Sequence, residues 1–150
     1  MAGEKDRADL LFYMDERFGI SPSVFDEYLL YEKKNTYWFV RKSPLISGLG
    51  HLKIKRLGIK TFQKVGSFMK PTTRMIQYFG RHAAKAVFNI DLNMLRGIVS
   101  GEYIPVDTDM ENGYIILLFK GQILGLGLLI NGTVRSQLPS QDVKFLTASV

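Results

Sequence analysis

The 150-residue sequence has no cysteine. This excludes a disulfide framework, thiolate metal sites and a cysteine nucleophile. It also favours a reducing compartment, so the expected location is cytoplasmic. Histidine is scarce: His51 and His82 lie far apart, and no carboxylate falls between residues 33 and 90 to serve either of them, so neither is expected to act as a base or metal ligand. No apolar run reaches the ~20 residues that a membrane-spanning helix needs. The longest, Tyr114 to Ile130, is interrupted by Lys120, Gln122 and three glycines, and it reads as two adjacent strands. Met1 to Asp9 is highly charged and has no apolar signal-peptide region. A soluble protein with no membrane partner is expected.

A further absence is local. Residues 33–90 hold 13 basic and no acidic side chains, whereas residues 1–32 hold 3 basic and 8 acidic, and residues 91–150 hold 4 and 6. Solubilising charge is normally interspersed in sign. Positive charge gathered in one region creates a field that attracts polyanions. A plain basic flank is the simpler reading. Against it, the lysines are interleaved with Tyr37, Trp38, Phe39, Ile54, Ile59, Phe62, Phe68, Ile76, Tyr78 and Phe79, which is the composition of a folded segment. A folded basic surface with embedded aromatics is the footprint of a nucleic-acid binder. The cations expected to meet phosphates are Lys53, Lys55, Arg56, Lys60, Lys64, Lys70, Arg74, Arg81 and Lys85. Phe62, Phe68 or Tyr78 would offer rings to unpaired bases. For each ring the alternative is core packing, and for each lysine it is simple solvation. No long amphipathic helix with a Lys-rich polar face suggests a membrane surface.

Periodicity places a helix over Lys5 to Phe18, with Leu10, Leu11, Met14 and Phe18 on one face and Gly19 as its stop. Ser21-Pro22 opens a short helix through Phe25 and Asp26. Tyr28 to Tyr31 and Tyr37 to Val40 form a hairpin. Pro44 to Gly50 is expected to be a loop, His51 to Ile59 a strand, and Lys60 to Met69 a strand or irregular segment interrupted by Gly66. Thr72 or Thr73 caps a helix to about Phe79, ended by Gly80. Lys85 to Ile90 reads as a strand. Asp91 then caps a helix over Leu92 to Val99, with Leu92, Leu95 and Val99 inward. Gly113 to Lys120 and Gln122 to Ile130 are strong strands. Asn131-Gly132 is a type I′ turn signal, Thr133 to Leu138 is the returning strand, and Val143 to Leu146 is a last short one. The pattern is helix and hairpin, a basic linker region, then a strand-helix unit and a meander forming a small antiparallel barrel. The expected fold class is α+β: an N-terminal α/β lobe over 1–84, containing the basic segment 33–84, and a β pseudo-barrel over 85–150.

No catalytic constellation emerges. Asp107, Asp109 and Glu111 alternate before a strand but lack the glycine and the bidentate glutamate of a calcium loop, so a solvated turn is expected. Lys120-Gly121 and Gly125-Leu126-Gly127 have neither the helix nor the Ser/Thr of a phosphate loop. A glycine inside a strand costs ~1 kcal/mol relative to alanine. Two readings stand for Gly125 and Gly127: a bend in a tight barrel, or close approach of another backbone or an RNA.

The run Gly113-Tyr-Ile-Ile-Leu-Leu-Phe-Lys-Gly-Gln-Ile-Leu-Gly-Leu-Gly-Leu-Leu-Ile-Asn-Gly-Thr-Val-Arg135 resembles the glycine-bearing hairpin of PUA RNA-binding domains. It looks most like the PUA-like tails of NOP/Sun-class RNA cytosine methyltransferases. Lys85 to Val99 fits the opening of the same domain, and Leu57 to Arg74 is similar to the N-terminal lobe of Nip-type ribosome-biogenesis factors. The resemblance implies a PUA-like pseudo-barrel that binds structured RNA, rRNA or tRNA, in RNA modification or ribosome assembly. The contacts it implies lie at Ile90 to Asn93, including Asp91 and Asn93, at Arg96, at Lys120, Gly121 and Gly125 of the hairpin, and at Arg135 and Lys144. Residues 91–150 carry more acid than base, unlike a strongly basic PUA surface, so the basic segment would supply phosphate contacts. No methyltransferase core or cofactor fingerprint is present in these 150 residues, so a non-catalytic protein without cofactor or metal is expected. The alternative is an adaptor whose basic lobe docks on an acidic partner, such as an RNA methyltransferase or a ribosome-assembly factor. An unrecognised enzyme would instead show a pocket with a perturbed acid or base.

Overall fold

The computed structural model describes residues 1–43 and 58–149. The protein is α+β, with two sheets sharing one hydrophobic core. The loop expected over Pro44 to Gly50 and most of the strand expected over His51 to Ile59 lie outside the described residues. Lys53, Lys55 and Arg56 lie there with them.

Helix α1 (Glu4–Phe18) buries Leu10, Leu11, Met14 and Phe18 and ends at Gly19, whose φ is +65°. The left-handed conformation lets the Gly19 N–H return to the Asp15 carbonyl. A β-carbon on Gly19 would lie 2.9 Å from the Ala84 β-carbon, so glycine also permits the approach of the chain leading into the second sheet. A 3-10 turn (Pro22–Phe25) follows.

Strands β1 (Tyr28–Lys33) and β2 (Thr36–Arg41) form the expected hairpin. Its turn is tighter than the four residues Lys33 to Thr36: Lys34 and Asn35 alone make it, both at positive φ. Within the segment read as a basic linker region, residues 59–71 form sheet. Strands β3 (Ile59–Val65) and β4 (Phe68–Pro71) complete an antiparallel sheet in the order β1-β2-β3-β4. Gly66 does not interrupt a strand; it makes the turn between two. Helix α2 (Thr73–Phe79) is capped by the Thr72 hydroxyl, which accepts from the Met75 N–H at 3.1 Å. Gly80 keeps a right-handed conformation and leads into a 3-10 turn (Gly80–His82). A β-carbon there would meet Ile123 Cδ1 at 2.9 Å, so the Ile123 side chain packs close over Gly80.

The second sheet comprises β5 (Val87–Asn89), β6 (Ile104–Pro105), β7 (Gly113–Phe119), β8 (Gln122–Ile130) and β9 (Thr133–Ser136), in the order β5-β7-β8-β9-β6. It is mixed rather than purely antiparallel, because β5 pairs with β7 in parallel. Helix α3 (Leu92–Val99) supplies the crossover, and parallel neighbours need such a connection. The Asp91 carboxylate caps α3, accepting from the Met94 N–H at 2.8 Å. Leu95 and Ile98 are its buried residues, while Leu92, expected inward, is 43% exposed. Leu92 is the first residue of the helix.

Val143 to Leu146, expected to be a strand, belongs instead to helix α4 (Ser140–Ser149). Val143 and Leu146 are three apart and half-buried on one helical face, and Leu146 packs on the core. A window of four residues is shorter than two helical turns and too short to establish a period in the sequence.

The core runs unbroken between the sheets. Phe79 of α2 is the hub of the first sheet's core: its ring lies 4.9 Å from Phe25, 5.3 Å from Tyr28 and 5.9 Å from Phe39. Its neighbour Ile76 and the β7 residues Ile115, Ile116 and Leu117 are fully buried in the same core. Arg17 bridges the two halves from outside. Its Nε–H donates to the Tyr114 carbonyl at 2.7 Å and its Nη2 group to the Glu111 carbonyl at 3.0 Å. Gly113 leaves room for the guanidinium, since a β-carbon there would lie 3.1 Å from Arg17 Cζ.

Two buried tyrosines make stability depend on alkaline pH. Burial first, and the carboxylates of Glu32 and Asp6 next, push Tyr37 up to about 12. Burial likewise raises Tyr13 to about 12, partly offset by the Arg17 charge. Both folded-state values exceed the unfolded value of 10.0. Their stabilising contribution is therefore full below pH 10 and lost as pH rises toward 12. Thermal unfolding followed by circular dichroism should show a melting temperature that falls steeply between pH 10 and 12. In Tyr37→Phe the fall should be shallower, since one of the two groups no longer ionises. An equally steep fall in that variant would exclude Tyr37 as a source.

Candidate nucleic-acid interface

The described cations fall into groups of different character. In the first they are engaged by the protein itself. Lys70 Nζ donates to Gln137 Oε1 at 2.9 Å and lies 5.9 Å from the Tyr114 ring, joining β4 to the second sheet. Arg74 donates to Gln77 Oε1 and lies 3.8 Å from the Asp142 carboxylate. Gln77 in turn donates to the Leu124 carbonyl at 3.1 Å and to Asp142 at 3.3 Å. This polar chain ties α4 to α2 and β8 beside an open cavity of about 290 Å³ that Phe145 also lines. Lys85 Nζ donates to the Glu16 carbonyl at 2.9 Å, near the C-terminus of α1, where a cation is favoured by the helix dipole. All three retain surface, but each also holds the fold together.

The second group is less encumbered, with Lys60 half-buried and Lys64 and Arg81 exposed. Lys60 pairs with Trp38 across the first sheet. Lys64 is exposed, and its backbone N–H donates to the Asn35 carbonyl at 2.7 Å, which places it beside the β1–β2 turn. Arg81 is exposed next to His82, toward which its Nε–H points at 3.3 Å. Their turn packs through Gly80 on Ile123, two residues beyond Gly121. Of the three rings proposed for stacking, Phe62 is fully buried and belongs to the core. Phe68 and Tyr78 are 75% and 55% exposed.

In the second sheet Asp91 is committed to its cap, whereas Asn93 and Arg96 are exposed one turn apart on α3. Lys120 and Gly121 make a two-residue turn, both at positive φ, and Lys120 Nζ stands 5.4 Å from the Phe119 ring. Arg135 lies 4.5 Å over the ring of Tyr103, an exposed cation–π pair that only the pairing of β6 with β9 brings together. Lys144 is exposed on α4. Gly125 is buried: a β-carbon there would lie 2.5 Å from Leu138 Cδ2 and 3.0 Å from Thr73 Cγ2. The structure matches the first reading of this glycine, a bend, and among the described residues places no other backbone against it. The register shifts beside it between Leu117 and Leu118, which is the bend. The close approach is made by two side chains of the protein itself.

Among the described residues no three His, Asp or Glu side chains gather in metal-binding geometry. The exposed loop carrying Asp107, Asp109 and Glu111 contributes a backbone carbonyl, that of Glu111, to Arg17. The arrangement is suited to polyanions, with separated cations on a rigid frame and exposed rings between them.

Residues 85–141 match the PUA domain of methyltransferase RsmF. The second sheet, with α3 as its crossover, is a PUA-like pseudo-barrel. Two ribosomal RNA small subunit methyltransferases F share more than this segment. The one from Psychromonas ingrahamii is 22% identical over 121 residues, 77% of this chain and 25% of its own length. The one from Aeromonas salmonicida is 22% identical over 142 residues, 93% of this chain and 28% of its own. The chain thus spans about a quarter of the length of the curated relatives it matches, and the likeness extends across the first sheet as well as the segment that matches the PUA domain.

Proposed function

We propose that this chain is a non-catalytic RNA-binding unit of rRNA modification, holding structured RNA through its basic first lobe and its PUA domain together. The observation that carries this reading is the extent of the likeness: 93% of the chain aligns with a quarter-length portion of an enzyme named for methylating small-subunit rRNA. The acid-free stretch of residues 33–90 adds 13 cations beside a PUA domain whose own segment is slightly acidic, so phosphate contact falls mainly to the first lobe. We place the boundary between the lobes near residue 84. An RNA methyltransferase is the protein partner that this reading favours.

A salt titration of binding to a small-subunit rRNA fragment tests the reading. Log affinity should fall with log salt by roughly 0.7 to 0.9 per phosphate neutralised. Charge reversal at Lys60, Lys64 and Arg81 should weaken binding by about tenfold or more at moderate salt, each reversal lowering the slope by about 1. These positions are preferable to Lys70 and Arg74, whose side chains hold α2, α4 and β9 in place. Equal binding by the wild type and the triple variant would take RNA off the basic lobe.

A further inference from the structure

We infer that the paired tips of the two hairpins in the first sheet form a binding site for an unpaired nucleotide, with Phe68 as the stacking surface and Lys33, Lys34 and Lys64 as its phosphate contacts. This rests on the RNA-binding reading and narrows it to one kind of RNA segment.

The site is built by the sheet. The turn Lys34-Asn35 and the turn Gly66-Ser67 lie at the same end, because β2 and β3 are adjacent and the Lys64 N–H donates to the Asn35 carbonyl at 2.7 Å. Lys33, Lys34 and Lys64 thereby lie at the same end of the sheet, although thirty residues of chain separate Lys34 from Lys64. Among the described residues none of the three ammonium groups has a carboxylate or hydrogen-bond partner. Beside them stand Val65 and Phe68, paired across β3 and β4 and exposed by 52% and 75%. A valine and a phenylalanine this exposed are out of place on a polar hairpin tip. Gly66 contributes no side chain, and a β-carbon built there meets no atom within 4 Å, so nothing from the turn covers the ring.

The charges choose the occupant. Three ammonium groups without a partner among the described residues, at the same end of the sheet as an exposed aromatic ring, suit a chain in which planar rings alternate with phosphates. Only an unpaired base offers its face for stacking, since in a duplex the bases are stacked on each other. Lys33 and Lys34 hold no place in the core, so they are free to follow the backbone of that strand.

The test uses the full chain, an rRNA fragment with a single-stranded tail, and a 12-nucleotide oligouridylate both alone and annealed to its complement. Phe68→Ala should weaken oligouridylate binding on the order of tenfold with an unchanged salt slope, because stacking releases no counterions. Phe68→Trp should restore affinity, which also separates loss of the ring from loss of the fold. Lys33→Gln with Lys34→Gln should weaken binding and lower the slope by about 2. Duplex binding should be indifferent to Phe68→Ala. If wild type binds the RNAs and Phe68→Ala binds them equally well, the site is wrong while the RNA-binding reading stands. If wild type binds none of them, both fall. If Phe68→Ala spares RNA but abolishes binding to vesicles containing phosphatidylserine, the tip is a membrane contact and the proposal is overturned.

Discussion

Phe79→Ala should lower unfolding stability by about 3 to 5 kcal/mol, the usual cost of removing a buried aromatic ring. Phe79 is 4% exposed, and its ring touches those of Phe25, Tyr28 and Phe39. Two of these neighbours come from sheet β1-β2 and one from the 3-10 turn after α1. None can shift far enough to fill the space without leaving its own strand or turn. The stacked Phe25–Phe39 pair, at 5.2 Å, would survive but lose the ring that closes it. For a domain with a total stability of ~5 to 15 kcal/mol this is a large fraction, and the melting temperature should drop by roughly 10 °C or more. Urea denaturation of wild type beside Phe79→Ala and the milder Phe79→Leu measures it. A loss below about 1 kcal/mol in Phe79→Ala would mean that this aromatic cluster is not the centre of the first lobe.

Gly125→Ala should cost about 2 to 6 kcal/mol, far more than one added methyl group suggests. Two separate penalties combine. The backbone has φ of +152°, a region that residues with a β-carbon occupy only with strain of ~1 to 3 kcal/mol. The new carbon would also meet Leu138 Cδ2 at 2.5 Å and Thr73 Cγ2 at 3.0 Å, and overpacking costs a further ~1 to 3 kcal/mol. Leu138 can rotate away in part, but Thr73 is buried in the first turn of α2 and cannot. A double variant, Gly125→Ala with Leu138→Ala, separates the penalties: relief of the clash should recover part of the loss and leave the backbone strain. Because Gly125 is internal, RNA binding of the folded fraction should be unchanged. A stable Gly125→Ala protein that has lost RNA affinity would return this glycine to the binding surface.

The local elements were legible in the sequence wherever a short-range signal was complete. Thr72 and Asp91 announce the helices they cap. Gly19 marks the end of α1, and Asn131-Gly132 marks its hairpin. Leu10, Leu11, Met14 and Phe18 define their face by spacing alone. The signal failed where an element was shorter than its own period. Val143 to Leu146 shows only two inward residues, too few to establish a period in the sequence. Gly66-Ser67 hides a turn inside a segment that lacks clear alternation.

Pattern and composition could likewise establish that a basic, folded surface lies between residues 33 and 90 and that a PUA-like hairpin follows. They could not sort its members. Phe62 and Phe68 look alike in sequence, six residues apart on neighbouring strands, yet one is core and the other stands at a tip. Lys64 and Lys70 differ in the same way, one open and one tied to Gln137. Arg17 gave no sign of its role, because both its partners are backbone carbonyls nearly a hundred residues away. The reason is general. Periodicity and capping depend on residues within one or two turns of each other, so a single stretch of chain contains all of their information. Which side chain is covered, and which cation keeps its charge free for a phosphate, depends on strands that meet only after the sheets have paired. Lys33, Lys34, Lys64 and Phe68 come to one end of the first sheet through the β2–β3 and β3–β4 pairings, and no local stretch of sequence contains the first of these.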